Sequence, residues 1–234
     1  MVYMGSKRRL AKELIPIITA DLKEGTYYVE PFCGGCNMID KINHPLKIAA
    51  DSNKYLIALL EKQQQGTLKP FEVSKEVWQQ VKDNKDKFPL WFVGYVGFCC
   101  TFRGKFFVSG YSSNNYLTKE GKLRQYQFES ANNLLKQNLS NIDFKCCSYD
   151  DLQIPPHSVI YCDPPYMGTT GYNNPFDSDK FWEWVREKTK EGHKVYVSEY
   201  QAPDDFTCIW QKEQTKNLGT KAQKTVEKLF IWAN

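Results

Sequence analysis

No stretch of the sequence is long and apolar enough to cross a bilayer. The longest run without a charged side chain, Phe88 to Phe102, has 15 residues and includes two Gly and a Pro, whereas a spanning helix needs about 20 apolar residues. The opening residues, Met1 to Arg9, become charged after six positions and lack the apolar stretch of a secretory signal. A cytoplasmic protein is therefore expected. The glycine fingerprint G-x-G-x-x-G is absent, which argues against an ordinary dinucleotide loop. Cys33-x-x-Cys36 has no second pair, so no zinc site, and no metal at all, is expected. The remaining cysteines include the adjacent pairs Cys99-Cys100 and Cys146-Cys147, a poor geometry for intrachain bridges, and reduced thiols are expected.

What the chain does have is an ordinary globular composition, 41% hydrophobic and 25% charged over 234 residues, enough for a sizeable core. Its net charge of +4 is unevenly spread. Between Lys87 and Phe128 stand six cations (Lys87, Arg103, Lys105, Lys119, Lys122, Arg124) against Glu120 alone, with 12 of the 34 aromatic residues. Cations for phosphates and flat rings for bases suit a nucleic-acid surface. A solvated basic face above an aromatic core gives the same composition. A second basic stretch, Lys216, Lys221 and Lys224, is the alternative candidate.

Hydrophobic patterning predicts a helix over Arg9–Leu22, interrupted or limited by Pro16, then short strands at Thr26–Val29 and Leu46–Ala50 and a helix over Asn53–Gln64. From about 66 to 140 the alternation breaks down. A helix is expected over Lys75–Asp86, then an aromatic stretch, a hairpin around Gly104–Tyr111 and a helix over Leu123–Leu139. Alternation resumes with strands at Asp143–Cys147 and Ser158–Cys162, a helix at Ser178–Glu191, a strand at Lys194–Ser198 and a last strand at Lys228–Ala233. Such a pattern predicts a parallel sheet with helices on both faces and an insertion in its middle.

Two strand ends attract attention. Gly34-Gly35 directly after a strand permits close backbone approach, by a ligand or within a tight turn. Asp51 ends the next strand, where a carboxylate can accept both ribose hydroxyls; capping the helix that follows is the competing role. The strongest signal is Val159-Ile160-Tyr161-Cys162-Asp163-Pro164-Pro165-Tyr166. An apolar strand here delivers a carboxylate, a stiff proline turn with outward carbonyls and an aromatic ring. Two fixed acceptors beside a ring suit a flat base that carries an exocyclic amine.

These residues resemble the Dam-type (class alpha) DNA adenine N6-methyltransferases, through nearly the whole chain and in family order. Tyr3-Met4-Gly5-Ser6-Lys7 is similar to the family's N-terminal cofactor segment. Val29-Glu30-Pro31-Phe32-Cys33-Gly34-Gly35 is similar to its S-adenosylmethionine loop, although Cys36 stands where another Gly is usual. Ala50-Asp51-Ser52-Asn53 resembles the ribose-binding element, and Ser148-Tyr149-Asp150-Asp151 the end of the strand before the catalytic one. Arg103-Gly104-Lys105-Phe106 through Tyr111 resembles the DNA-contacting hairpin, with Phe107 at a commonly polar position, and the tail from Gly219 to Phe230 follows the pattern.

The resemblance implies a Rossmann-like class I methyltransferase sheet, formed by residues 1–65 and 141–234, with a mostly helical target-recognition insert at 66–140. It implies Asp163, Pro164, Pro165 and Tyr166 as catalytic residues. Tyr3, Lys7, Glu30, Pro31, Phe32, Gly34, Gly35, Asp51, Ser148, Tyr149 and Asp163 are the implied S-adenosylmethionine contacts. Arg103, Lys105, Tyr111 and Arg124 are the implied contacts to double-stranded DNA, with Arg103 expected to read a base, since guanidinium pairs with two guanine acceptors. The expected reaction is methylation of the N6 amine of a flipped adenine. Cytosine N4, an RNA adenine or an amide nitrogen offers a similar planar amine. A non-catalytic DNA-binding module with a decayed cofactor fold is the rival of another class.

Overall fold

Strand β1 (Tyr28–Glu30) is wholly buried and lies third in the order of a seven-stranded sheet. The computed structural model describes residues 1–118, 121–165, 176–218 and 221–232. A short 3-10 turn, Lys7–Arg9, leads into α1 (Ala11–Ile18), shorter than the helix expected to Leu22. Strand β2 (Lys47–Ala50) pairs parallel with β1 and is followed by α2 (Lys54–Gln64), whose N-cap is Asn53. After the middle segment come β5 (Ile142–Lys145), β6 (Val159–Cys162), α6 (Ser178–Lys190) and β7 (Lys194–Glu199). The chain ends in a long antiparallel hairpin, β8 (Phe206–Leu218) with β9 (Lys221–Trp232), where only a terminal strand was expected.

The strand order is β5-β2-β1-β6-β7-β9-β8, with β9 antiparallel to β7 and the first five strands parallel. This is a Rossmann-like sheet with a reversed strand next to its last edge. Alternation along the strands sends Tyr28, Ala49, Val159 and Tyr161 to one face, and Val29, Ile48, Ile160 and Val195 to the other. Helices α1 and α2 cover the first face; α6, through Phe181, Trp182, Trp184 and Val185, covers the second. The order reverses between β1 and β6, so a crevice opens at their carboxyl ends, the usual ligand position in such sheets.

The middle segment holds α3 (Lys75–Asp83), α4 (Leu90–Cys99), α5 (Tyr126–Leu135) and a two-residue hairpin, β3 (Tyr116–Leu117) with β4 (Leu123–Arg124). The aromatic stretch is thus a helix, buried along nearly its whole length; its hydrophobic residues run all round it, which hid the helical period. Its glycines explain how closely it docks. A Cβ on Gly94 would lie 2.1 Å from the Tyr55 carbonyl oxygen of α2, and one on Gly97 would lie 2.3 Å from the Phe106 ring.

The hairpin expected at Gly104–Tyr111 does not form. Arg103, Gly104 and Phe107 take left-handed backbone angles, φ 59°, 63° and 54°, which break a ladder, and a single bridge joins Thr101 to Tyr111. The hairpin lies later, and its strand β4 delays α5 to Tyr126. Phe107 is turned into the core against Trp78, with ring centroids 5.7 Å apart. Helix α3 likewise ends at Asp83, and Lys85–Lys87 forms a separate 3-10 turn. The buried Gln127 ties the segment together. It accepts from Val73 N and donates to the carbonyls of Val73 and Ser112.

Candidate active site

The crevice is built from strand ends. Leaving β1, the chain turns through Pro31, Phe32, Cys33, Gly34 and Gly35. Cys33 N donates to the Ala50 carbonyl (2.9 Å) and Gly34 N to Asp51 Oδ2 (3.2 Å), so the loop is fastened to the end of β2. Asp51 Oδ1 accepts from Asn53 N at 2.9 Å. The helix cap is not Asp51 but Asn53, whose side chain accepts from Tyr55 N and Leu56 N. Burial pushes the Asp51 carboxyl above its ordinary range, and its two backbone N–H donors offset this in part. Each oxygen takes one backbone hydrogen bond, and a carboxylate has about four acceptor sites.

Gly34 and Gly35 permit a close approach, and the group that approaches is Tyr3. A Cβ on Gly34, which sits at φ 46°, would lie 2.7 Å from the Tyr3 ring, and one on Gly35 would lie 2.8 Å from Tyr3 Cβ. Cys36 adopts φ 52° with its side chain fully buried, so the backbone keeps there a conformation that glycine adopts most readily. Gln137 braces the same loop by donating to the carbonyls of Gly35 (2.8 Å) and Cys36 (2.9 Å). Sequence reading passed over Gln137, because one glutamine just after a helix carries no signal of its own.

Phe32 stacks into an aromatic cluster with Tyr149 (5.2 Å), Phe176 (5.9 Å) and Phe181 (5.6 Å). Tyr149 is mostly buried there, and the adjacent Ser148 carbonyl accepts from Asp151 N. Glu30 is buried at the end of β1 and accepts from the Tyr28 hydroxyl at 2.8 Å. Burial pushes its carboxyl up to about 8, opposed by the Tyr28 hydrogen bond. The stability that goes with protonated Glu30 is therefore fully present below the ordinary carboxylate range and is lost as pH rises through about 8. Glu30→Gln should flatten the fall in melting temperature between pH 5 and 8.5, which calorimetry at several pH values would measure; an unaltered slope would place the charge elsewhere.

Asp163 follows β6 directly. Its side chain is 22% exposed, and Oδ1 accepts from Lys7 Nζ at 2.7 Å. Pro164 is buried, and its carbonyl has no hydrogen-bond partner among the described residues. Tyr166, the expected stacking residue, lies outside the described residues, as does Gly219. The structure therefore brings Lys7, Glu30, Asp51, Asp163 and the Gly34-Gly35 loop to neighbouring strand ends.

In the insert, Arg103 stacks its guanidinium 5.4 Å from the exposed Phe102 ring. Arg124 donates from Nε to both Glu129 carboxylate oxygens at 2.9 Å. The Tyr111 hydroxyl donates to the Val73 carbonyl at 2.7 Å, so its polar end is engaged within the insert. Among the described residues, no cluster of three His, Cys, Asp or Glu could hold a metal ion, and no helix is long and apolar enough to cross a membrane.

Sheet order and site geometry together define a class I methyltransferase scaffold with a carboxylate-lined crevice at its switch point. Residues 3–90 and 95–225 match the family described as D12 class N6 adenine-specific DNA methyltransferase, and the chain belongs to that family. It is 26% identical over 217 residues to the type II methyltransferase M.FokI of Planomicrobium okeanokoites, covering 79% of this chain and 31% of that protein. It is 25% identical over 232 residues to the retron Ec67 DNA adenine methylase of Escherichia coli, covering 84% and 75%. The chain thus spans about a third of the first relative's length and three quarters of the second's. A solved structure of SMU.472, a putative methyltransferase complexed with SAH, matches at a TM-score of 0.36 and 10% identity, over 97% of this chain and 53% of that one.

Proposed function

We propose that this chain transfers a methyl group from S-adenosylmethionine to N6 of an adenine flipped out of a specific sequence in double-stranded DNA. Family membership supports the reaction class, and the observation that carries it is Asp163. A partly exposed carboxylate, fixed by Lys7, is followed directly by Pro164, whose carbonyl has no hydrogen-bond partner among the described residues, at the switch crevice. Those two acceptors match the two hydrogens of an exocyclic amine.

The residues present fit the cofactor. Asp51 keeps acceptor capacity for two hydroxyls, and its link to Gly34 N fixes that carboxylate against the loop at the crevice. S-adenosylmethionine supplies an activated methyl group when bound, so the chain need only position the amine and localise its electrons. The N6 lone pair is delocalised into the adenine ring. Hydrogen bonds from N6–H to Asp163 and to the Pro164 carbonyl favour a pyramidal nitrogen, and they strengthen as positive charge develops there. Stabilisation that grows toward the transition state is what raises rate. Unpairing and unstacking the target costs a few kcal/mol, part of which a ring at Tyr166 recovers by stacking.

Residues 66–140 serve as the target-recognition insert in this reading. They carry Arg103 and Lys105 together with the exposed apolar residues Phe102, Val108, Leu117 and Leu123. Binding to duplex DNA should weaken linearly with log salt. Lys105→Ala should flatten that slope by about 0.9, and Arg103→Ala should relax the preference at one base position. Arg124→Ala should flatten the slope less, because Glu129 already holds that guanidinium. A double Arg103/Lys105 variant with the wild-type slope would remove the insert from the DNA surface. The activity itself is tested with labelled S-adenosylmethionine and duplex DNA, followed by digestion to nucleosides. Label in N6-methyladenine is the expected result; label in N4-methylcytosine, or in no nucleoside, overturns the proposal.

A further inference from the structure

Four carboxylates converge on the crevice, and their surroundings are nearly dry. Asp163 follows β6, Glu30 ends β1, Glu199 ends β7 and Glu227 lies on β9. Glu30, Glu199 and Glu227 are all at most 6% exposed. Lys7, itself 5% exposed, reaches into this group from the N-terminal 3-10 turn. Its ammonium lies 2.7 Å from Asp163 Oδ1 and 3.8 Å from Glu227 Oε2, and donates also to the Gly5 carbonyl at 3.4 Å.

The other charges nearby are placed differently. Lys41, whose charge also acts on Glu30, pairs with Asp40. Lys228, opposite Glu199 in the strand register, holds its ammonium 5.9 Å above the Phe230 ring. Glu199 accepts from Tyr200 N at 2.7 Å, and the Tyr161 hydroxyl is hydrogen-bonded to Ser198 Oγ.

Like charges in a poorly solvated site drive one another toward protonation. Two members of the group show it. Burial, with a smaller contribution from the Asp163 charge, pushes Glu199 up to about 7 and Glu30 up to about 8. Of the four carboxylates, Asp163 stands nearest the Lys7 ammonium, with Glu227 next. A protonated Asp163 would present a hydrogen to the amine in place of a lone pair, and the proposed acceptor would be lost.

We propose that Lys7 is the positioning residue of this site: its buried ammonium keeps Asp163 ionised and oriented as the amine's acceptor against the three carboxylates around it. This reading gives Lys7 a task other than the cofactor contact expected from sequence, and its catalytic consequence rests on the proposed methyl transfer. An adjacent cation lowers an aspartate by about 1–3 pH units, which sets the scale of the test.

The experiment is a carboxyl 13C NMR titration of the full chain, with the Asp163 resonance assigned by Asp163→Asn. Lys7→Gln should raise the Asp163 midpoint by about 1–3 units, and Lys7→Arg should keep it near the wild-type value. The acid limb of the single-turnover pH profile should move by the same interval, so that the Lys7→Gln rate recovers at alkaline pH. A purely structural role would lower the rate equally at every pH. An unmoved midpoint in folded Lys7→Gln overturns the proposal, as does an unmoved midpoint with weakened S-adenosylmethionine binding, which would restore the cofactor role. Should Lys7→Gln fail to fold, Glu227→Gln replaces it: removing the second carboxylate beside the ammonium should lower the Asp163 midpoint, and the absence of any change overturns the proposal. A moved midpoint in a chain that methylates no adenine leaves the hold on Asp163 supported and overturns the proposed activity.

Discussion

Asp163→Ala should lose at least about 100-fold in single-turnover methyl transfer, the scale of removing one donor or acceptor that acts on developing charge. Asp163 provides one of two amine acceptors, and the Pro164 carbonyl, a backbone group, survives the substitution. The loss should therefore appear in the chemical step, while affinity for duplex DNA changes much less. The substitution also strands the Lys7 ammonium beside Glu227, so the folded state should be checked by melting temperature alongside the rate. Turnover within a few-fold of wild type would remove Asp163 from the reaction.

Asp51→Ala should weaken S-adenosylmethionine binding by about 1.5–3 kcal/mol, the range for hydrogen bonds to a charged group. Two effects share that loss. The ribose hydroxyls lose their acceptor, and Gly34 N and Asn53 N lose theirs, so the loop that lines the crevice loosens. Asp51→Asn separates the two effects, since an amide oxygen can still accept from Gly34 N but the charge is gone. Calorimetry on both variants measures the difference. Unchanged affinity in both would reduce Asp51 to a brace between β2 and the loop.

The parallel sheet was legible because its strands are short apolar runs ending in chemistry: Glu30, Asp51 and Asp163 all fall at strand ends, where sequence placed them. The pattern failed where tertiary packing overrides local period. Helix α4 has no polar face, since both α2 and the Phe106–Phe107 turn lie against its glycines, and amphipathic periodicity could not reveal it. The hairpin at Gly104–Tyr111 was wrongly placed because the backbone angles of Arg103 and Phe107 are invisible in residue type. The β8–β9 hairpin is charged along much of its length and reads as loop. For the site, residue identities were legible and partnerships were not. Nothing in the spacing of Lys7 and Asp163, 156 positions apart, announces a 2.7 Å contact.

Residues 2–7 touch three parts of the molecule at once. The Val2 carbonyl lies where a Cβ on Gly104 would sit, the Tyr3 ring covers Gly34 and Gly35, and Lys7 holds Asp163. One short segment therefore spans the insert, the loop and the reacting end of β6. Whatever shifts Tyr3 off the glycines is felt at Gly104 and at Asp163 through a few covalent bonds. Any coupling between a ligand on the loop and one on the insert would act in both directions by the same factor.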